Sequence, residues 1–211
     1  MIDLLELLTT KRLLAIVRGD NPEAALASIQ TLVENGIDLI EVSLTSADAL
    51  GVIAKACQQL GDRVTLGAGT VVDADDARQA QNAGASFVVS PGITDGAAEA
   101  IRLGIPTLAG AFTPTEIAIA SRSGAVAVKL FPASLGGPAY LRAVRAPFPE
   151  IPFVPVGGVD AASARQYLQA GAVAVGVGSP LLGDAPDGGD QGGLRPRAQQ
   201  FRSLMAEALV S

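Results

Sequence analysis

Lys129 lies in Val126-Ala127-Val128-Lys129-Leu130-Phe131-Pro132, a short apolar run that reads as a buried strand. The chain has three lysines; Lys11 falls in a polar stretch near the start and Lys55 in an expected surface helix. Burial disfavours a charged ammonium and frees the amine as a nucleophile. Such an amine condenses with a carbonyl substrate to form a Schiff base. Taken alone, the segment also fits a lysine that reaches the sheet end and pairs with a carboxylate. Glu41 interrupts a second apolar run, Ile37-Asp38-Leu39-Ile40-Glu41-Val42. Strand alternation groups Leu39, Glu41 and Ser43 on one face, and likewise Ala127, Lys129 and Phe131. A buried Glu41–Lys129 ion pair would account for both residues, but such pairs are often no better for stability than apolar packing. An amine and a carboxylate at one pocket are better explained by chemistry, because perturbed ionisable groups cluster at functional sites.

The rest of the composition narrows that chemistry. The chain has no histidine, which removes Ser-His and Cys-His machinery and every His-based metal site. Proton transfer is left to carboxylates, lysine, tyrosine or water. The one cysteine, Cys57, forms no internal disulfide and reads as a small core residue in a reducing, cytoplasmic setting. A net charge of −6 argues against a nucleic-acid footprint. The apolar runs are too short to span a bilayer, and the acidic start Met1-Ile2-Asp3-Leu4-Leu5-Glu6 lacks a signal peptide's basic opening. The expectation is a cytoplasmic enzyme with no nucleic-acid partner and no membrane.

The elements that must position these side chains repeat as helix, glycine, short apolar strand. The turns are Asn35-Gly36-Ile37, Ala83-Gly84-Ala85, Leu103-Gly104-Ile105, Ser123-Gly124-Ala125 and Ala170-Gly171-Ala172, with glycine where a helix closes in the left-handed conformation. Expected strands are Leu13–Val17, Leu39–Val42, Val64–Gly67, Phe87–Ser90, Thr107–Ala109, Val126–Leu130, Phe153–Val156 and Val173–Val177. Asn21-Pro22-Glu23 starts a helix with a cap and an N1 proline, and Thr113-Pro114-Thr115-Glu116 has capping-box spacing. Buried strands alternating with helices predict an α/β fold, a (β/α)₈ TIM barrel, with a doubly wound open sheet as the alternative. Residues 1–211 are expected to form one domain. The Gly- and Asp-rich stretch 183–193 reads as a mobile loop without EF-hand spacing, followed by a last helix from about Pro196 to Leu209.

A barrel places its site at the C-terminal ends of its strands. Those ends carry Arg18, Glu41, Gly67-Ala68-Gly69-Thr70, Ser90-Pro91-Gly92, Lys129 with Phe131, Gly157-Gly158 and Gly178-Ser179. Glycines after the seventh and eighth strands let backbone N–H groups approach an anion, so they form a candidate phosphate cup. In order and in composition these motifs, with Thr113-Pro114-Thr115-Glu116 and Lys129-Leu130-Phe131-Pro132, resemble the KDPG/KHG aldolase family over nearly the whole chain. Those enzymes are 2-keto-3-deoxy-6-phosphogluconate and 4-hydroxy-2-oxoglutarate aldolases.

The resemblance implies a TIM barrel, a homotrimer, no metal, no cofactor, and a phosphorylated ketoacid as the small-molecule substrate. It implies Lys129 as the Schiff-base lysine and Glu41 as general acid/base. Thr70 and Pro91 match positions that line the pyruvate pocket, Phe131 packs beside the lysine as a further substrate-side residue, and Gly157, Gly158, Gly178 and Ser179 match the phosphate end. Thr45 stands where many members carry a carboxylate-binding arginine. Other members carry an early arginine, as Arg18 stands here, and a galactonate-type relative has a segment like Gly137-Pro138-Ala139-Tyr140. The expected reaction is cleavage of 2-keto-3-deoxy-6-phosphogluconate to pyruvate and glyceraldehyde 3-phosphate, with 4-hydroxy-2-oxoglutarate as a second substrate. The phosphogalactonate substrate, a phosphate-binding isomerase or epimerase, and a phospho-sugar sensor are the alternatives.

Overall fold

The computed structural model describes residues 2–208; Met1 and the expected helix end at Leu209 lie outside the described residues. The sheet comprises β1 (Leu13–Val17), β2 (Leu39–Ser43), β3 (Thr65–Gly69), β4 (Phe87–Val89), β5 (Thr107–Ala111), β6 (Ala127–Leu130), β7 (Phe153–Pro155) and β8 (Val175–Val177). All pair in parallel in the order β7-β6-β5-β4-β3-β2-β1-β8. The two end strands meet in a parallel bridge between Val156 and Gly176, and Val173 donates its N–H to the Phe153 carbonyl at 3.0 Å. The sheet therefore curls into a nearly closed barrel, not an open one.

Helices follow the strands and cover the outer face. Asn21 caps Pro22–Glu34 by accepting from the Glu23 and Ala24 N–H groups, and Thr113 and Glu116 form a capping box on Pro114–Arg122. The glycines expected to close helices, Gly36, Gly84, Gly104, Gly124 and Gly171, all have positive φ. Outward residues such as Ala15, Val17, Ile40, Val42, Val128 and Leu130 pack against the helices in one apolar cluster. Inward residues Leu14, Leu39, Phe87, Val89, Leu108, Ala127 and Val154 form a second cluster inside the barrel. A helix that the sequence reading did not foresee, Leu4–Lys11, closes the N-terminal end of the barrel by adding Leu4 and Leu8 to that inner cluster.

Some boundaries depart from expectation. β3 and β5 run two residues past their expected ends, through Gly69 and Ala111, because glycines that read as stops lie within the strands. β8 begins at Val175, two residues later than expected. The segment 183–193 is not loop throughout: a 3-10 turn occupies Ala185–Asp187 with Ala185 and Pro186 buried, and the last helix begins at Gln191, ahead of Pro196. Asp190 accepts the Gly193 N–H at 2.8 Å, so the helix starts on a capping aspartate well before Pro196.

Candidate active site

β2 and β6 stand on opposite walls of the barrel, separated by three strands on either side. Each carries an inward series that changes character along its length: Leu39, Glu41, Ser43 on β2, and Ala127, Lys129, then Phe131 just past β6. Glu41 and Lys129 thus face a common cavity of about 470 Å³ at the C-terminal end of the barrel. Both are buried, at 1% and 5% exposure, yet they form no ion pair, and Glu41 Oε2 has no hydrogen-bond partner. The ion-pair explanation of these residues therefore fails. Burial pushes the Glu41 carboxyl above its ordinary value of 4.5, and the positive charges of Lys129 and Arg18 pull part of the way back. Lys129 Nζ lies 5.1 Å from the centre of the Phe131 ring, within reach of a cation–π contact.

Glycines make room for this arrangement. A Cβ on Gly69 of β3 would collide with Glu41 Oε1, and one on Gly110 of β5 would collide with the Pro91 backbone. The bare strand at Gly110 lets the Ser90-Pro91-Gly92 turn fold inward. Ser90 fixes that turn by donating to the Gly92 carbonyl at 2.7 Å and accepting the Gly110 N–H at 3.3 Å. Thr70, directly after β3, has φ of +61°, rare for a β-branched residue, and lines the cavity. Its hydroxyl meets that of Ser43 at 2.9 Å, and Ser43 meets Thr45 at 2.8 Å.

The other end of the cavity is lined by Gly157, Gly158, Gly178 and Ser179. Gly157 and Gly158 both have positive φ, and a Cβ on Gly158 would lie 2.7 Å from Ser134 Cβ. Arg18 reaches the same cavity and makes no ion pair with Asp20. The Asp20 N–H instead donates to Asp187 Oδ1 at 2.8 Å. Every residue singled out in the sequence for chemistry or binding, Arg18, Glu41, Thr70, Pro91, Lys129, Phe131 and the four at the glycine end, lines this one cavity.

Asp187 also lines it, although no motif in the sequence points to it. It stands 167 residues from Asp20 in a segment whose composition signals only a loop. Strand alternation puts Ser43 on the inward face, and its link to Thr70 depends on a backbone turn that no local signal marks.

The geometry has counterparts. Residues 4–187 match the family described as KDPG and KHG aldolase. The 2-dehydro-3-deoxy-phosphogluconate aldolase of Treponema pallidum is 38% identical over 170 residues, 80% of this chain and 80% of that protein. The 2-dehydro-3-deoxy-6-phosphogalactonate aldolase of Escherichia coli is 34% identical over 171 residues, 80% of this chain and 83% of that one. A solved structure of native KDPGal has a TM-score of 0.87 and 31% identity, over 94% of this chain and 96% of that chain.

Proposed function

The chain belongs to the KDPG and KHG aldolase family, which makes it a carbon–carbon lyase, and from that premise we propose that its reaction runs through an imine on Lys129. The substrate is 2-keto-3-deoxy-6-phosphogluconate, cleaved to pyruvate and glyceraldehyde 3-phosphate, with 4-hydroxy-2-oxoglutarate as a further substrate. The carrying observation is a buried amine facing an unpartnered buried carboxylate across one cavity.

The Lys129 amine adds to the C2 carbonyl, and loss of water leaves an iminium. Glu41 takes the proton of the C4 hydroxyl as the C3–C4 bond breaks. The bonding electrons move into the iminium, giving an enamine on Lys129 and the free aldehyde. Glu41 then returns the proton to C3, and water hydrolyses the pyruvyl imine. The iminium is the electron sink, so no metal is required. A carboxyl whose proton affinity is raised by burial suits a group that must both accept and give a proton.

Arg18, Thr70, Pro91 and Phe131 hold the pyruvyl half. Gly157, Gly158, Gly178 and Ser179 hold the phosphate through backbone N–H groups and the serine hydroxyl. The enzyme works in the cytoplasm as a homotrimer; exposed Val72, Ile93 and Ile119 supply apolar surface for self-association. No helix among the described residues is long and apolar enough to cross a membrane.

The resemblance at Arg18 and Gly137-Pro138-Ala139-Tyr140, with the phosphogalactonate aldolase relative, favours a second reading: the same chemistry on the C4 epimer. Initial rates on the two epimers decide between them. An isomerase, an epimerase or a sensor does not need a buried Schiff-base amine inside the barrel.

The test of the imine is borohydride trapping with pyruvate, followed by peptide mass analysis. One modified peptide is expected, the one containing Lys129. Label on Lys11, which pairs with Asp38 at 2.7 Å, or on Lys55 would overturn the mechanism.

A further inference from the structure

Thr70 reaches the cavity only because its backbone is strained. Alternation along β3 turns Gly67 and Gly69 inward and would turn the next residue outward. A φ of +61° breaks the alternation and brings Thr70 to the cavity wall. Such a conformation costs on the order of 1–3 kcal/mol for a non-glycine residue and persists where its surroundings over-determine it. Here the surroundings include Ser43, which is fully buried at 0% exposure and touches Thr70 Oγ1 at 2.9 Å and Thr45 Oγ1 at 2.8 Å. Thr45 lies on the surface.

Each hydroxyl has one proton to donate and two lone pairs. Three hydroxyls in a row form two hydrogen bonds and leave one proton over. If Thr45 donates to Ser43 and Ser43 donates to Thr70, the remaining proton belongs to Thr70, which lines the cavity. In the opposite sense the spare proton belongs to surface-exposed Thr45, and if both threonines donate to Ser43 it stays on buried Ser43, which has nowhere to give it. A carboxylate entering the cavity selects the first sense, and each link then polarises the next.

We propose that Ser43 is a positioning residue: through the Thr45–Ser43–Thr70 chain it commits the Thr70 hydroxyl to donate to the carboxylate of the bound ketoacid. The proposal rests on the aldolase reading, since it needs a ketoacid in the cavity. Ser43 touches no reacting atom. It acts on binding of the carboxylate, not on the chemistry at C2.

The test compares pyruvate with hydroxyacetone, which has the same carbonyl methyl ketone but no carboxylate. For the full chain, Ser43→Ala and Ser43→Thr, the half-saturating concentration of each ketone is read from borohydride trapping at Lys129. Ser43→Ala is expected to raise the value for pyruvate about tenfold, in keeping with a weakened hydrogen bond to a charged group. The value for hydroxyacetone should stay within about twofold, and Ser43→Thr, which keeps the hydroxyl, should restore pyruvate binding. An equal rise for both ketones, or no rise for pyruvate, would overturn the relay. Should Ser43→Ala not fold, Thr45→Val decides by the same pair: a rise confined to pyruvate supports the relay and an unchanged value overturns it. Adduct on Lys129 in the unaltered protein upholds the aldolase reading whichever way the variants fall, and no adduct there overturns both.

Discussion

Below the level of Glu41 and Lys129 the barrel interior is filled by Leu14, Leu39, Phe87, Leu108, Ala127 and Val154, closed from beneath by Leu4 and Leu8. Above that level the same strands, or the turns that follow them, present Arg18, Glu41, Ser43, Lys129 and bare glycines. On β2 the change takes two residues, from Leu39 to Glu41, and on β6 it likewise takes two, from Ala127 to Lys129. Strand alternation keeps both halves on the inner face, so a single fold supplies a plug and a reaction vessel from one set of strands. The halves are linked by solvent exclusion. The apolar plug beneath Glu41 helps to keep water away, and that desolvation is the main cause of its raised carboxyl pKa. The lower half therefore contributes to chemistry only by being dry and to stability by being packed. The upper half keeps a buried unpartnered carboxylate oxygen at a cost in stability.

The largest effect should come from Glu41→Gln. Turnover is expected to fall about 10²–10⁴-fold, the usual worth of a positioned acid/base, while trapping of pyruvate at Lys129 remains detectable. Stability should move the other way. Glu41 binds its proton more tightly folded than unfolded, so the folded state holds more protons between pH 4.5 and its raised value. Stability of the parent protein therefore falls as pH rises through that window, by linkage. Gln cannot ionise, so the variant should be the more stable of the two at the top of the window, and the difference should shrink towards pH 4.5 and below. Urea titrations of both proteins at several pH values read this directly. A variant that is less stable at every pH would mean that Glu41 is a structural carboxylate.

Phe87→Ala attacks the plug instead. Phe87 is fully buried, and its ring occupies the place where a side chain at Gly67 would stand. Removing the ring should cost about 3–5 kcal/mol. For a domain of this size that lowers the melting temperature by roughly 6–20 °C. An apolar hole of this kind stays dry, so kcat should change less than about threefold at a temperature where the variant is folded. A loss of kcat comparable to that of Glu41→Gln would break the division between plug and vessel.

The division is partly legible in the sequence. Leu39 and Glu41, or Ala127 and Lys129, share parity, and parity is a local property of the chain. Strand order marks the end of the barrel that carries the site even though β3 and β5 run two residues longer than expected, and all of the residues offered for chemistry there line one cavity. The plug's lower seal was not read, although Leu4 and Leu8 have the spacing of one helix face. Thr70 stands at a strand end, where a barrel places its site, but parity by itself turns it outward, and the turn at φ +61° explains its position on the cavity wall. Asp187 escaped because its partner is an amide at the far end of the chain. Gly192 and Gly193 disguised the first turn of the last helix, which the cap at Asp190 could have revealed.

The smallest effect is expected at Arg18, and it separates two properties of one side chain. The backbone beneath it is fastened from both sides. Gly19 donates its N–H to Ser46 Oγ at 3.2 Å, its carbonyl accepts the Ala47 N–H at 3.2 Å, and Asp20 donates to Asp187 at 2.8 Å. Pro186 packs where a Gly19 side chain would be. Arg18 thus extends towards the cavity from a fixed point, as a group that binds a ligand must. Its fork can hold a carboxylate through two hydrogen bonds, which lysine cannot reproduce. Arg18→Lys should raise KM for the ketoacid about tenfold, with melting temperature unchanged, since the loss is one charge-assisted hydrogen bond. Its charge has a second task, because Arg18 helps to lower the Glu41 carboxyl pKa from the height that burial gives it. Lysine keeps that charge and alanine does not. The Glu41 limb of the kcat/KM profile should accordingly stay in place in Arg18→Lys and move to higher pH in Arg18→Ala. If KM is unchanged in both variants, the carboxylate belongs to Thr70 and backbone N–H groups alone. If the limb moves equally in both, then the position of the guanidinium, and not its charge, sets the proton affinity of Glu41.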